Sequence, residues 1–500
     1  MSELLGNLGL GFTVALTLQN IGYCFIGCLV GTLIGVLPGV GPIATIAMLL
    51  PITFGLDPTG ALIMLAGIYY GAQYGGSTTA ILVNIPGEAT AVITTLDGHQ
   101  MARRGRAGIA LGIAAIGSFF AGTVATLVIA ALGKPLTGLA LLFGPTEYFS
   151  LMVLGLVFAI VLASGSVPKA IAMVLVGILL SCVGADLETG ETRMTFNMPF
   201  LTDGIDFSVL AMGLFGIAEI IRNLESPEAR DVVRDRIGRL LPGLDELRQS
   251  AKPILRGTGL GAILGLLPGN GAVLGPFASY TLEKKLAKDP SRFGKGAIEG
   301  VAGPEAANNA GAQTSFIPML TLGIPPNAVM ALMVGAMTIF GIVPGPQVIA
   351  SHPKLFWGMI ASMWLGNLML LVINLPLVGL WVRLLKVPYR LMYPTILVFC
   401  CVGIYSINSQ QTDVLLIGLF GVVGLLLAKV GFEAAPLLLG FVLGELMEEN
   451  LRRALVLSRG DPWVFITHPW SAVLLAFSVF LLVLTIIPVV RKEREEVFAE

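Results

Sequence analysis

Two short motifs place proline and glycine inside strongly apolar stretches and could therefore bind an anion through the backbone. They are "GVLPGVGP" at residues 35–42 and "GLLPGNGA" at residues 265–272. A proline-glycine break ends one half-helix and starts the next, which frees backbone N–H groups at a helix N-terminus carrying about half a positive charge. Such a terminus binds an anion without Lys or Arg. The residues predicted to contact an anionic ligand in this way are Pro38, Gly39, Val40, Gly41, Pro268, Gly269, Asn270 and Gly271.

Each motif is followed by an apolar segment that contains polar side chains. The segments are "YYGAQYGGSTTAILVNIPG" at residues 69–87 and "GPEAANNAGAQTSFIPMLTLGIPP" at residues 303–326. In a membrane, polar groups at this depth are costly and commonly mark a ligand pathway, although Ser, Thr and Asn also join neighbouring helices. The residues predicted as further ligand contacts are Ser77, Thr78, Thr79, Asn84, Pro86, Gly87, Asn308, Asn309, Thr314, Ser315 and Pro325.

The composition places these motifs in a membrane protein. The 500 residues are 55% hydrophobic and 12% charged, with a mean hydropathy of +0.86, whereas soluble domains are roughly 25% charged. Apolar runs near the length that a bilayer requires recur along the chain and show no strand-like alternation, so helices are expected rather than a barrel. The sequence therefore predicts an all-α polytopic integral membrane protein in a lipid bilayer. The net charge of −1 argues against a nucleic-acid partner.

The two motifs belong to an internal repeat. "GTLIGVLPGVG" from Gly31 aligns without gaps on "GAILGLLPGNG" from Gly261, an offset of 261 − 31 = 230. Further along, "NIPGEA" parallels "GIPPNA", where Pro86 and Pro325 differ by 325 − 86 = 239. The order of the motifs is preserved, so the chain is predicted to consist of two related halves.

The distribution of basic residues predicts that the two halves are inverted. Residues 1–102 contain no Lys or Arg, whereas 222–256 contains eight and 283–295 contains five. By the positive-inside rule the first motif is flanked by outer segments and the second by cytoplasmic ones. Between its basic flanks the second motif leaves legs of about 15 Å, too short to cross a bilayer of roughly 30 Å.

We therefore predict two inverted-topology repeats, each with a re-entrant helical hairpin and a discontinuous helix, an architecture that secondary carriers use to place a central site. The predicted divisions are a first transmembrane repeat at 1–221, a cytoplasmic connector at 222–256, and a second repeat with C-terminal helices at 257–500.

An accompanying cation is predicted beside the same motifs. A multiply charged anion at membrane depth needs a neutralising charge, and the motif segments contain no Lys or Arg. Carbonyl, hydroxyl and amide oxygens bind Na⁺ in carriers with broken helices. We expect Na⁺ near Ser77, Thr78, Asn308 and Asn309, with a proton carried on Glu305 as the alternative. Neither a cofactor nor a structural metal is predicted.

Six motifs in order resemble one transporter family. They are "LPGVGP", "GGSTTAILVNIPG", "LDGHQMARRGRAG", "PEAANNA", "SFIPMLTLGIPP" and "LGFVLGELMEENLRRAL". Together they resemble the large membrane subunit of the tripartite tricarboxylate transporters, the TctA-type permease. The resemblance covers nearly the full chain. One departure is Pro326, which stands where the family has the glycine of a Gly-x-Pro-Gly motif and which has no N–H to offer an anion.

The resemblance implies a multi-pass protein of the bacterial cell inner membrane that imports di- or tricarboxylates, citrate-like molecules among them, by ion-driven secondary transport. It also implies two partners, which are a small four-helix membrane subunit and a periplasmic solute-binding protein.

Two other classes of function remain open at this stage. A passive organic-anion channel could use the same backbone sites, because selectivity can rest on backbone groups. An intramembrane enzyme would need an activated nucleophile, yet Ser77 and Ser315 have no His near them in sequence. The sequence contains neither a His-Glu-x-x-His motif nor a paired-carboxylate motif, so no enzymatic activity is predicted.

Overall fold

The chain folds almost entirely into helices, as a computed structural model shows. The structure describes residues 2–37, 41–84, 87–140, 142–161, 163, 166–186, 189–225, 239–267, 271–384, 393–394, 397–398, 400–402, 404–405 and 409–486. The helices of the first part are α1 (Ser2–Ala15), α2 (Leu18–Gly35), α3 (Pro42–Thr53), α4 (Pro58–Val83), α5 (Val92–Thr94), α6 (Ala107–Ala140), α7 (Pro145–Val161), α8 (Val167–Ser181), α9 (Phe207–Ala211) and α10 (Ala218–Glu225).

The second part is built in the same way. Its helices are α11 (Leu244–Gly265), α12 (Gly271–Leu286), α13 (Glu299–Thr314), α14 (Phe316–Leu322), α15 (Ala328–Ile339), α16 (Val348–Ser351), α17 (Pro353–Asn374), α18 (Val378–Leu384), α19 (Gln411–Lys429), α20 (Ala434–Leu457), α21 (Val464–Thr467) and α22 (Pro469–Ile486). Short 3-10 helices cover Ala89–Ala91, Pro199–Leu201 and Pro290–Arg292, and π-helices cover Thr95–His99 and Met212–Ile217. The segment Ala102–Arg106 is kinked at Arg104 and Gly105, whose backbone angles are not helical. Strands β1 (Gly184–Ala185) and β2 (Thr192–Arg193) form an antiparallel pair.

Local sequence signals fix where the important helices begin. Asp57 caps α4 by accepting hydrogen bonds from Thr59 and Gly60, and Pro58 takes the first helical position. The side chain of Asn327 caps α15 in the same way. Short polar side chains are favoured at these positions because they satisfy N–H groups that have no partner inside the helix.

Several helices suit a membrane. Within the described residues, four are long and apolar enough to cross one, namely Leu18–Gly35, Ala102–Gly138, Pro353–Asn374 and Gln411–Lys429. Large apolar side chains are exposed along α19 and α22, for example Leu415 and Val473. An apolar surface of this kind is stable against lipid but costly in water.

Close packing of glycines joins α2 to α4. A Cβ atom on Gly27, Gly31 or Gly35 would collide with the backbone of Met64, Ile68 or Ala72, respectively. In return, α4 presents its own glycines to α2. Small residues at four-residue spacing let two helix backbones approach closely, a common device between membrane helices. The residue numbers of the contacting pairs rise together along both helices, so α2 and α4 run parallel. Helix α3, which connects them, runs in the opposite direction.

The same arrangement joins α11 to α13. A Cβ on Gly257, Gly261 or Gly265 would collide with the backbone of Gly303, Ala307 or Gly311, respectively. These helices are therefore also parallel, and α12, which connects them, runs in the opposite direction. We call the two sets of three glycines the first stripe (Gly27, Gly31, Gly35) and the second stripe (Gly257, Gly261, Gly265).

The two stripes make equivalent contacts by residue number. Gly31 and Gly261 differ by 261 − 31 = 230, and the residues that they meet, Ile68 and Ala307, differ by 307 − 68 = 239. The first offset is that of the Leu-Pro-Gly motifs and the second is that of the Pro86 and Pro325 motifs. The sequence repeat is thus also a repeat of backbone contacts.

The two pairs of parallel helices are in contact, and the helices of one pair run opposite to those of the other. Ser77 of α4 bonds to Glu305 of α13, while Tyr69 and Tyr70 lie against Phe316, with ring centroids 6.5 and 5.9 Å apart. Residue numbers therefore rise along α4 as they fall along α13 and α14. Helix α4 runs antiparallel to α13 and α14.

Both polar segments end in a left-handed residue. Asn84 follows α4 with φ of 60°, and Gly323 follows α14 with φ of 74°; these positions differ by 323 − 84 = 239. The polar part of the first segment is one continuous helix, so the predicted break lies after Val83 rather than within α4. In the second segment, Ser315 separates α13 from α14.

Helix α11 is longer than the leg expected from the sequence. It begins at Leu244 and has 22 residues, so the division predicted between 256 and 257 falls inside a helix. Residues 244–256 of this helix include Asp245, Glu246 and Arg256, and its apolar part begins only at Gly257. The apolar portion is therefore short, as predicted, but the polar extension is helical.

Candidate functional site

Most of the predicted backbone site at the two motif tips lies outside the described residues, namely Pro38, Gly39, Val40, Pro268, Gly269 and Asn270, and so does Pro86 of the first polar segment. The neighbouring glycines are described. Gly41 is the N-cap of α3, directly before Pro42, and Gly271 is the first residue of α12. Gly87 packs against Gly35 and Gly76 so closely that a Cβ would collide with both backbones.

Glu305 lies at the contact between the two halves. Its side chain is 1% exposed and accepts hydrogen bonds from two hydroxyl groups of the first half. Ser77 Oγ donates to Oε2 at 2.6 Å, and Thr94 Oγ1 donates to Oε1. Hydroxyl donors stabilise a carboxylate, and here they also tie α13 to α4 and α5.

A small cavity opens beside Glu305. The cavity has a volume of ≈ 20 Å³, and a site for one water molecule needs roughly 10–15 Å³. The cavity is lined by Tyr74, Ser77, Thr78, Leu111, Ala114, Ala115, Ser118, Glu305, Asn374 and Leu375. It therefore has room for one water molecule or one dehydrated ion, but not for a di- or tricarboxylate.

A second carboxylate, Glu88, is partly buried and lies close to the predicted amide ligands. Glu88 Oε1 accepts hydrogen bonds from Thr90 Oγ1 at 2.5 Å and from Asn308 Nδ2 at 3.3 Å. The Cγ atom of Glu88 lies over Gly76 of α4. Among the described residues the Oδ1 atom of Asn308 has no partner, so it remains available to a donor or a cation.

Two further predicted residues, Thr79 and Ser315, join helices through their hydroxyl groups. Thr79 Oγ1 donates to the carbonyls of Gly35 and Val36, and Ser315 Oγ donates to that of Gly265. Each hydroxyl thus holds the end of a glycine-stripe helix next to its motif tip. These bonds match the alternative interpretation that polar side chains join helices.

Four other predicted residues lie near the ends of the polar segments or within α13. Thr314 bonds within its own helix, and Asn84 is exposed at the end of α4. Asn309 Nδ2 donates to Ser118 Oγ at 2.6 Å and to the carbonyl of Glu305 at 3.1 Å. Pro325 is buried in the turn after α14.

Sequence reasoning missed four residues around Glu305: Thr94, Tyr74, Ser118 and Asn374. Ser118 and Asn374 are polar residues in largely apolar helices, and a polar residue at membrane depth is itself a signal of function. Thr94 lies in a short helix that the sequence did not predict. Their common position depends on the packing of α4, α5, α6, α13 and α17 around one point.

The halves are also joined at a second buried carboxylate contact. Asp97 accepts hydrogen bonds from the backbone N–H groups of Gly296 and Ala297 at 2.7 and 2.8 Å and from Tyr280 Oη at 3.0 Å. All three donors belong to the second half: Gly296 and Ala297 lie just before α13 begins, and Tyr280 belongs to α12. Asp97 thereby fixes the entry to the helix that carries Glu305.

The bonding of the two candidate nucleophiles does not resemble a catalytic arrangement. Ser77 Oγ bonds to a carboxylate and to the Gln73 carbonyl, while Ser315 Oγ bonds to carbonyls and to Asn327. No cluster of three or more His, Cys, Asp or Glu residues suited to a metal ion occurs in the part of the chain that the structure describes. The arrangement is suited to binding an ion or a polar ligand.

Comparison with known proteins identifies relatives over the whole chain. The model of the tripartite tricarboxylate transporter TctA family matches residues 21–439. An Agrobacterium vitis protein described as an uncharacterized 52.8 kDa protein in the TAR-I ttuC' 3' region is 58% identical over 500 residues, which covers 100% of both chains. A second A. vitis protein, described as uncharacterized and in the TAR-II ttuC' 3' region, is 58% identical over 240 residues, 48% of this chain and 99% of its own. No solved structure matches the chain significantly.

Proposed function

The chain belongs to the tripartite tricarboxylate transporter TctA family, and on that premise we propose that it is the membrane permease subunit of a secondary active transporter importing di- or tricarboxylates, citrate-like molecules among them. One observation carries the proposal. Two glycine-packed pairs of parallel helices, which run in opposite directions to each other, meet around buried polar side chains. Helices of this kind that oppose each other at the membrane midplane form the central site of many secondary carriers.

The inverted repeat is part of this proposal. Each half contains a helix that ends at a Leu-Pro-Gly motif, a returning helix, and a polar helix parallel to the first. The antiparallel course of α4 against α13 supports opposite orientations of the two halves in the membrane. Re-entry of the hairpins from opposite sides would then bring the tips toward one central carboxylate site.

The positions of Lys429 and Lys169 support one common cytoplasmic face for several helix ends. Lys429 Nζ lies 2.7 Å from Glu225 Oε1, and Lys169 Nζ donates to the carbonyl of Val430 at 2.6 Å. The end of α10 therefore lies near the end of α19 and the start of α8, directly before the basic connector. By the positive-inside rule this face would be cytoplasmic in a multi-pass protein of the bacterial inner membrane.

Transport is proposed to be driven by an ion gradient, with Na⁺ as the coupled ion and H⁺ as the alternative. A carboxylate substrate brings two or three negative charges to a region in which residues 296–353 contain no Lys or Arg. A cation that moves with the substrate would offset part of this charge. Oxygen atoms of Ser77, Thr78, Asn308 and Asn309 are the proposed ligands, and Glu305 is the proposed carrier of a proton if H⁺ is used.

Two partners complete the proposed transporter. A periplasmic solute-binding protein would deliver the carboxylate, and a small four-helix membrane subunit would assemble with this chain. Much of the substrate selectivity would then rest on the binding protein.

The test is uptake of radiolabelled di- and tricarboxylates into proteoliposomes that contain the chain and both partners, with an imposed Na⁺ gradient or an imposed pH gradient. We expect saturable uptake that requires an ion gradient. Gly39→Val and Gly269→Val should abolish this uptake while leaving membrane insertion normal, because glycine permits close approach of the backbone to a ligand. Gradient-independent flux with single-channel currents would instead establish a passive anion channel, and absence of carboxylate flux with every partner would refute the proposal.

A further inference from the structure

The cavity beside Glu305 has the composition of a cation site. Glu305 is buried, and its two oxygen atoms accept hydrogen bonds only from hydroxyl groups among the hydrogen bonds described above. No ion pair in the described part of the chain involves this carboxylate. A buried carboxylate without an opposite charge is strongly disfavoured, so the site needs a positive charge from outside the protein.

We propose that this cavity binds one dehydrated Na⁺ ion, held by Glu305 and by the oxygen atoms of the side chains around it. The inference rests on the proposed function, because it assigns the coupled ion to a specific site. Six lining side chains carry oxygen, namely Tyr74, Ser77, Thr78, Ser118, Asn374 and Glu305. The site keeps Ser77 and Thr78 of the predicted ligands but not Asn308 or Asn309, which do not line the cavity. It adds Tyr74, Ser118 and Asn374, and it gives Glu305 the central role.

Two of these side chains have an oxygen atom that accepts no hydrogen bond from the described residues. Among the described residues, Tyr74 Oη and Asn374 Oδ1 have no hydrogen-bond partner, although the two side chains are only 4% and 7% exposed. An unsatisfied buried oxygen costs about 1–3 kcal/mol. Coordination of one cation would satisfy both oxygens and neutralise Glu305 at the same time.

The size and charge of the cavity favour a monovalent ion. The ≈ 20 Å³ available exceeds the space that one water molecule needs only slightly. Divalent cations such as Ca²⁺ take several carboxylate or carbonyl oxygens, and Mg²⁺ retains most of its water. A single carboxylate balances one monovalent charge, and neutral hydroxyl and amide oxygens complete the coordination.

The position of the site also explains how an ion would affect transport. Helices α4 and α6 of the first half and α13 and α17 of the second all contribute to the cavity. A bound ion would hold these helices together and favour the arrangement in which Asn308 bonds to Glu88. Release of the ion would weaken the contact between the halves, as alternating access requires.

The test is binding of ²²Na⁺ to the purified full-length chain in nanodiscs without substrate, together with the shift in apparent Tm that Na⁺ causes relative to K⁺ and choline. Glu305→Gln is expected to lower Na⁺ affinity more than tenfold. Tyr74→Phe and Asn374→Leu are each expected to lower it about three- to tenfold, because each removes one oxygen ligand.

Two matched controls lie on the same helices. Tyr70 and Asn367 also have buried polar atoms without a described partner, but neither lines the cavity. Tyr70→Phe and Asn367→Leu should therefore leave Na⁺ affinity within twofold of the unaltered protein. An equal loss in the cavity variants and in the controls would overturn the site, since it would indicate a general effect on packing.

Two further outcomes separate this inference from the proposed function. Na⁺ binding that requires Glu305 in a protein that transports no carboxylate would support the site and refute the function. Carboxylate uptake driven by pH in the absence of Na⁺, with no binding of ²²Na⁺, would support the function and overturn the sodium site in favour of a proton on Glu305.

Discussion

The helices α2 to α4 and their counterparts α11 to α14 share a backbone arrangement but not a set of side chains. The glycine stripes meet equivalent backbone atoms, and the left-handed residues Asn84 and Gly323 occupy equivalent positions. The position equivalent to Glu305, by contrast, is Ala66, since 305 − 239 = 66. The equivalent of Ser77 is Phe316, since 316 − 239 = 77. The repeat therefore determines the packing, and the departures from the repeat supply the chemistry.

A similar difference exists at the open ends of the two hairpins. Arg256 and Glu283 form an ion pair between α11 and α12, whereas the positions 230 residues earlier hold Ile26 and Thr53. Ile26 is exposed on the surface of α2. The first hairpin thus presents an apolar side chain where the second places a charge, which agrees with a lipid-facing first hairpin and a second hairpin that opens toward water.

The largest effect that would test this comparison is expected at the glycine stripes. Gly31→Ala and Gly261→Ala should each lower the apparent Tm strongly or prevent folding, because the added Cβ meets a backbone carbonyl that no rotamer change can move. Thermal unfolding followed by size-exclusion fluorescence would measure the loss. Gly22→Ala and Gly259→Ala are controls on the same two helices, where a Cβ has free space. A severe effect in only one stripe would show that the two stripes are not equivalent.

The orientation of the halves should be visible as a difference between two single cysteines on a background without reactive thiols. A cysteine in place of Asp57 should react with an impermeant thiol reagent only from outside, and one in place of Lys288 only from inside. The reason is that basic segments flank only the second motif. Labelling of intact cells and of inverted vesicles would measure the two accessibilities. Reaction of both positions from the same side would rule out an inverted repeat.

The smallest effect is expected at the polar extension of α11, which α2 lacks. Glu246 accepts a hydrogen bond from the backbone N–H of Gly243 and another from Arg106, and both interactions lower the pKa of its carboxyl group. A lowered pKa stabilises the folded protein above the ordinary pKa of glutamate, about 4.3, and the gain is lost as pH falls through the pKa of the folded state.

Glu246→Gln should therefore lower the apparent Tm slightly at pH 7, by the equivalent of at most about 1 kcal/mol because the group is partly exposed. The difference should disappear in acid, and Tm measured against pH would follow it. A difference that stays constant down to the most acidic pH at which the protein remains folded would mean that the charge of Glu246 is not the cause.

Much of the fold followed from local patterns in the sequence. Apolar runs indicated helices, the spacing of Leu-Pro-Gly motifs indicated two related halves, and Pro42 and Pro58 stand at helix starts as such residues do elsewhere. Membership of the TctA family, suggested by six motifs, is confirmed by the family match. The contacts at the motif tips stay predictions.

The candidate site was only partly predictable. Ser77, Thr78 and Glu305 were identified because polar residues stand out in an apolar segment, and they do line one cavity. Thr79 and Ser315 were predicted as ligand contacts by the same reasoning. Their hydroxyl groups bond to the carbonyls of Gly35 and Gly265, and their contact with a ligand stays a prediction. Sequence position alone does not distinguish a hydroxyl group that joins two helices from one that faces a cavity.

What the sequence by itself determined is therefore the helical fold, the breaks at the two Leu-Pro-Gly motifs and the repeat. Helices and their breaks depend on residues within a few turns of each other, and the repeat is visible as matching motifs. Only the tertiary structure decided which polar groups meet. Ser77 and Glu305 are 228 residues apart, and Asn374 reaches the same cavity from α17. Their meeting depends on the direction and depth at which whole helices pack against each other, which no local pattern encodes.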